Sequence, residues 1–335
     1  MLSRHSGARP ESRRRWAVVA FRVALLCVIA SSAVNAQPYP SKPIRYVVST
    51  SPGGGSDVLA RVIAAELAQA LGQQIIVDNR PGGGSNIAAE FVARAPADGH
   101  TVFQVSSANA VSVNLYRNIA YDLFRDFAPV VHIATSPEMV VVHPSLAVKS
   151  IGDLIALAKA RPGEINYASA GPGSSTFFAA ELFKGQAGLS MLHVPYRGGG
   201  AALAGVLSGE ASLYFSPVAS GLPHVRDGRL RALAVTTAQR VPTVAHLPTV
   251  SEAGLRGFQS GNWYGLLVPA RTPKETVAVL HGTMLGLLKK PEVVKRLVDL
   301  GYILVGGEPD EFGAYIRLEV ARFAKIIKQF NLSAD

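Results

Sequence analysis

Three loops in this sequence collect glycines and hydroxyl residues where an apolar, β-rich run gives way to a helical pattern. They are Pro52–Asp57, Ser106–Asn109 and Ser169–Thr176. Glycine lets the backbone approach a ligand closely. The free N–H groups at a helix start, with the helix dipole behind them, favour an anion. Serine and threonine hydroxyls add hydrogen-bond donors without net charge. The chemistry of these loops is therefore the holding of a small carboxylate or another oxyanion. A purely structural reading, tight turns with helix caps, also fits any one of them alone.

Sharper chemistries fail on spacing. The first loop lacks the Gly-Lys-Ser/Thr ending of a P-loop, and Val58 stands where a dinucleotide fingerprint needs its third glycine after Gly53 and Gly55. No G-x-S-x-G elbow or H-E-x-x-H pair occurs, and the eight histidines are scattered without metal-ligand spacing. No metal or other cofactor is expected. Asp57, at the first turn of a helix, suits loop bracing or dipole complementation better than catalysis. Arg197, before Gly198-Gly199-Gly200, could grip a carboxylate or simply face solvent. Trp263 and Tyr264, on the return crossing, could line a cleft or pack at the hinge, and packing is expected.

The elements that must position these loops alternate as in α/β folds with mainly parallel sheets. Strand Ile44–Ser49 leads into a helix carrying Leu59, Ile63, Leu67 and Leu71, with Ser56 as its expected N-cap. Strand Ile75–Val77 precedes a second glycine-rich turn and a helix expected to bury Ile87, Phe91 and Val92 on one face. Strand Thr101–Val105 ends in Ser106-Ser107. Two extended crossings, 128–143 and 263–268, separate this half from another strand–helix series with strands at 165–168, 192–194, 213–215 and 232–235. Three helical segments close the chain. The expected architecture is two α/β lobes, 38–140 plus 264–335 and 141–263.

Charge and composition narrow the setting. The chain has 335 residues, 48% hydrophobic and 17% charged, and a net charge of +10. It is too apolar for a disordered protein and long enough to fold without disulfide staples. Six arginines and one glutamate fall within residues 1–36, which also carry a short apolar run and end Val34-Asn35-Ala36. These are the parts of a cleavable export signal, expected to be cut near Ala36. Its removal leaves +5 and discards Cys27, the only cysteine. A nucleic-acid partner is not expected, because the mature part has no basic runs.

Taken together, Pro52-Gly53-Gly54-Gly55-Ser56-Asp57, Asn79-Arg80-Pro81-Gly82, Ala97-Asp98-Gly99-His100-Thr101, Asn166-Tyr167-Ala168-Ser169-Ala170-Gly171, His193-Val194-Pro195-Tyr196-Arg197-Gly198 and Trp263-Tyr264-Gly265-Leu266 resemble the tripartite tricarboxylate transporter substrate-binding proteins, also called Bug proteins. The resemblance spans the whole mature chain. It implies a two-lobed, Venus-flytrap, type II-like periplasmic binding protein that is not an enzyme. Such a protein closes on a small organic carboxylate and, in some systems, delivers it to a multi-span membrane permease; a monomer is expected. Carried onto this sequence, the ligand residues are Gly54, Gly55, Ser56 and Asp57, with Ser169, Gly173, Ser174 and Ser175, and Ser106 and Ser107 complete the pocket. Ser216 stands where the family often has an acid, and Phe177 where it often has a histidine. Loss of the acid would disfavour a ligand ammonium. The competing reading is an exported α/β hydrolase, which would need a nucleophile beside a base.

Overall fold

A computed structural model describes residues 39–330 and Leu332. The expected export signal lies outside the described residues. The described strands sort into two sheets. The first contains β1 (Ile44–Val48), β2 (Ile75–Asn79), β3 (Thr101–Ser106), β4 (Phe127–Ser136), β10 (Asn262–Pro269) and β11 (Ile303–Gly306), in the order β11-β4-β10-β3-β1-β2. The second contains β5 (Glu138–Val142), β6 (Asn166–Ser169), β7 (Leu192–Pro195), β8 (Leu213–Pro217) and β9 (Arg231–Val235), in the order β7-β6-β8-β5-β9. Each sheet has a parallel part, β2-β1-β3 or β7-β6-β8, flanked by antiparallel strands.

Apolar periodicity explains most of the packing. In β1, Ile44, Tyr46, Val47 and Val48 are buried, as expected for a parallel strand covered on both faces. Helix α1 (Gly55–Leu71) buries Leu59, Ile63 and Leu67, each contributing about 1.5–3 kcal/mol by leaving water. Helix α2 (Asn86–Ala93) departs from expectation. Its buried face is Ala88, Ala89 and Val92, while Ile87 is 51% exposed. Eight residues entered through a left-handed Ser85 leave the apolar face underdetermined by periodicity.

Helix α3 (Ser107–Leu115) follows β3, and α4 (Ile151–Ala160) starts at Ser150, whose side chain accepts from the Asp153 N–H. Helices α5 (Ser175–Ala187), α6 (Gly199–Leu207) and α7 (Val218–Arg226) follow β6, β7 and β8. Gly198-Gly199-Gly200 is thus the start of a helix and not a free turn, because Ala202, Leu203 and Val206 behind it bury against the second sheet. Helices α8 (Lys274–Leu287), α9 (Pro291–Asp299) and α10 (Pro309–Gln329) return to the first sheet.

The chain crosses from one lobe to the other at Pro137, between β4 and β5, and returns into β10. The two crossings lie side by side, since Asn262 pairs with Ser136. Trp263 packs there as expected, edge-on to Phe312 and Tyr315, with its indole N–H donating to Glu319 at 3.0 Å. No helix among the described residues is long and apolar enough to cross a membrane.

Candidate functional site

The parallel strands of both sheets end toward one another, and the loops beyond them enclose a cavity of about 40 Å³. Gly54, Gly55, Ser56 and Ser106 reach it from the first lobe, and Ser174 and Ser175 reach it from the second. These six sequence candidates are separated by up to 121 residues in the chain, yet share one wall. Sequence reasoning missed other members of that wall: Ser49 and Thr50 after β1, Gly84 and Ser85 before α2, Gly198 and Gly199 at α6, and Tyr214 and Asn262 from the sheets.

Two helix starts face each other across this space. Neither α1 nor α6 has a side-chain cap, so each retains unpaired first-turn N–H groups. Ser56 is not the N-cap; that position is Gly54, and the Ser56 hydroxyl instead accepts from Gln104 Nε2 at 2.7 Å. Gln104 is itself held by the Tyr46 hydroxyl at 2.9 Å. The Ser56 hydroxyl proton therefore remains available. Close approach of the lobes depends on small residues. A Cβ on Gly200 would fall 2.1 Å from the Pro52 carbonyl oxygen, and one on Gly54 would lie 3.5 Å from Gly199 Cα.

The wall also carries unspent polarity. Ser49, 4% exposed, and Thr50 have buried hydroxyls without a hydrogen-bond partner, and so does Tyr214. Native proteins rarely leave such groups unpaired. The opposed positive helix ends and the free hydroxyls together describe an electropositive, donor-lined space with no charged side chain on its wall. That arrangement suits an oxyanion.

The remaining sequence candidates lie off the wall, and each has a local partner. Asp57 accepts from Gly53 N–H at 3.0 Å, Arg61 Nε at 2.9 Å and Asn79 Nδ2 at 3.0 Å. Burial would raise its pKa, but these donors outweigh burial and hold it below the usual carboxylate range. It braces the loop. Ser107 gives both its N–H and its hydroxyl to Asn262 Oδ1, at 3.1 and 2.6 Å. Gly173 packs against Tyr116 and Ser112, beside Gly84. Ser216 is fully buried and its hydroxyl donates to the Pro217 carbonyl at 3.2 Å. Arg197 is exposed and does not line the cavity, whereas Tyr264 does, the less favoured of its two expected roles.

One juxtaposition bears on hydrolysis. Ser169 Oγ lies 2.6 Å from His193 Nε2, a pair the sequence spacing did not reveal. The serine is fully buried, however, and its oxygen accepts the Gly171 N–H at 3.0 Å. His193 stacks on Tyr167, and burial lowers its pKa. The pair locks the loop after β6 and has no access to the cavity wall. A larger groove, about 780 Å³, runs past Lys42, Arg45, Arg80 and Arg94. Its lysine and two of these arginines are paired with Asp98 or Asp78, and it gathers no helix start from the second lobe.

Residues 59–332 match the family described as "Tripartite tricarboxylate transporter family receptor". The chain is 33% identical to Protein BugT of Bordetella pertussis over 301 residues, covering 89% of this chain and 92% of that one. Among solved structures it is similar to R. palustris Rpa4515 with adipate, at 36% identity and a TM-score of 0.86 over 88% of this chain and 99% of that chain. It is also similar to MatC (Rpa3494) from Rhodopseudomonas palustris with bound malate, at 30% identity and a TM-score of 0.82 over 86% of this chain and all of that chain.

Proposed function

Because this chain belongs to the family of tripartite tricarboxylate transporter receptors, we propose that its inter-lobe cavity captures a small organic carboxylate for a membrane transporter. The family is one of solute receptors and not of enzymes, and the hydrolase alternative falls with that. The observation that carries the carboxylate reading is the pair of uncapped helix starts, α1 and α6, facing one another beside unpartnered Ser49 and Thr50 hydroxyls. Two positive dipole ends repel at close range, and an anion between them turns that repulsion into attraction.

On this reading Gly54, Gly55, Ser56 and Ser106 present donors from the first lobe, and Ser174 and Ser175 present them from the second. Asp57, Ser107, Ser169, Gly173 and Ser216 hold those loops in place behind the wall. The relatives bound to adipate and malate support a ligand with one or two carboxylates. The protein works in the periplasm after removal of residues 1–36, as a monomer that closes near the lobe boundaries 38–140 plus 264–335 and 141–263. Its partner is a multi-span permease.

A thermal-shift panel tests the reading, since a ligand that binds only the folded state raises the melting temperature. Adipate, malate, succinate, citrate, benzoate and nicotinate form the panel. At least one should raise the melting temperature, and Ser56→Trp or Ser175→Trp should abolish the shift without changing the circular dichroism spectrum. A panel with no shift contradicts the carboxylate reading.

A further inference from the structure

Glu138 has no part in the function proposed above. It is the first residue of β5, immediately after the Pro137 crossing, and lies in register with Pro217 on β8. Its side chain is fully buried, and neither carboxyl oxygen makes a well-formed hydrogen bond. Its neighbours are residues of the cavity wall. The Ser175 hydroxyl lies beside the carboxyl, and a charge there would be felt by the hydroxyls of Tyr214 and Tyr264. Helix α1 of the opposite lobe sits over the same corner, with Gly55 against Pro217 and Tyr264.

An ionised carboxylate in such a place is strongly disfavoured unless a cation accompanies it. No lysine, arginine or histidine is paired with Glu138 among the described residues. The titratable groups facing it are Tyr214 from β8 and Tyr264 from β10, both pushed by burial above the range where they would ionise. Helix α5 contributes only Ser175. On the β9 side, Thr236 spends its N–H and hydroxyl on the Glu138 backbone carbonyl, at 2.9 and 3.1 Å. Burial pushes the Glu138 carboxyl up to about 8, so at neutral pH it keeps its proton.

We propose that Glu138 is a proton-bearing specificity residue behind the cavity, compatible with an anionic ligand while neutral and expelling one when ionised. The inference rests on the carboxylate reading above. The wall offers helix N–H groups and hydroxyls, and a neutral acid behind it leaves their positive field uncancelled. A ligand ammonium would face two positive helix ends, so the favoured class is a mono- or dicarboxylate without an amine. In that sense the acid that Ser216 lacks is supplied by the neighbouring strand, in the neutral form.

The test is isothermal titration of the mature protein with adipate and with malate from pH 6.5 to 9.5 at constant ionic strength, using wild type and Glu138→Gln. Wild-type affinity should hold near pH 7 and fall at least about fivefold by pH 9.5, because anion binding raises the pKa of the acid it approaches. Glu138→Gln should bind with a flat profile. Near pH 8, wild type titrated in buffers of different ionisation enthalpy should take up a fraction of a proton per ligand, a readout that survives even if the variant does not fold. Equal pH profiles for the two proteins, proton release, or tighter binding of aspartate than of malate would overturn the proposal. Binding that is tight but independent of pH removes this inference alone. If neither acid binds, the same titration is made with the panel acid that gives the largest thermal shift, and a failure of all six panel acids to bind at every pH removes the carboxylate reading and this inference with it.

Discussion

The Tyr116 hydroxyl donates to the Pro172 carbonyl oxygen at 2.9 Å, a hydrogen bond between the end of α3 in one lobe and the loop before α5 in the other. It sits beside Gly84, whose left-handed backbone (φ 60°) leaves no room for a side chain against Pro172 and Tyr116. Such a bond contributes about 0.5–1.5 kcal/mol to the closed arrangement. Tyr116→Phe should therefore fold normally and bind adipate roughly twofold to tenfold more weakly, as measured by isothermal titration.

Gly200 tests closure more severely. A Cβ there would overlap the Pro52 carbonyl oxygen at 2.1 Å, and backbone cannot give way as a side-chain tip can. Gly200→Ala should leave the circular dichroism spectrum of the ligand-free protein unchanged, because separation of the lobes relieves the clash. The ligand-induced thermal shift should disappear. A full shift in this variant would mean that the lobes do not close through this contact.

The free hydroxyl of Ser49 gives an opposite pattern of stability and binding. Removing a hydrogen-bonding group usually destabilises, but this buried oxygen has no partner to lose. Ser49→Ala should keep or slightly raise the melting temperature of the ligand-free protein. It should also weaken carboxylate binding by about 1 kcal/mol, roughly fivefold. Loss of stability without loss of affinity would assign the hydroxyl a structural role.

Glu138 makes the ligand-free protein pH-sensitive in a defined direction. Its folded pKa, about 8, lies above the ordinary value of 4.5, so between these values the folded state holds a proton that the unfolded state has released. Stability from this group is complete below pH 4.5, declines as pH rises by at most about 1.4 kcal/mol per unit, and levels off above pH 8. Glu138→Gln should remove that decline. Chemical denaturation of both proteins at pH 5.5, 6.5 and 7.5 measures the difference, and parallel curves would contradict it.

The loops that were legible in the sequence are those where glycines and serines follow a β-rich apolar run, as at Pro52–Ser56 and Ser174–Ser175. Local composition alone marks them as sites of close backbone approach. Apart from β11, which is too short and too exposed to stand out between two helices, the strands were legible to within one or two residues for the same reason, because Ile44–Val48 or Leu213–Pro217 is a short apolar run bounded by turns. What the sequence hid depends on long-range contact. Asn262 meets Ser107 across 155 residues, and Tyr264 reaches the cavity only because β10 returns beside β3. Ser49 and Thr50 look like the ordinary end of a strand, and Glu138 looks like a solvated acid until the crossing buries it. Ser216 is expected in the pocket because the family often carries an acid at its place; in the structure its side chain packs against Gly221 and its hydroxyl donates to the Pro217 carbonyl.

Whether opposed helix starts hold a carboxylate between the lobes is decided by a crystal structure of the mature protein with the panel acid that gives the largest thermal shift. One carboxylate should lie between the N–H groups of Gly55 and Ser56 and those of Ser175 and Gly199, within hydrogen-bond distance of the Ser49 or Thr50 hydroxyl. A ligand seated elsewhere, for example along the Lys42–Arg94 groove, or held through a group other than its carboxylate, would contradict it.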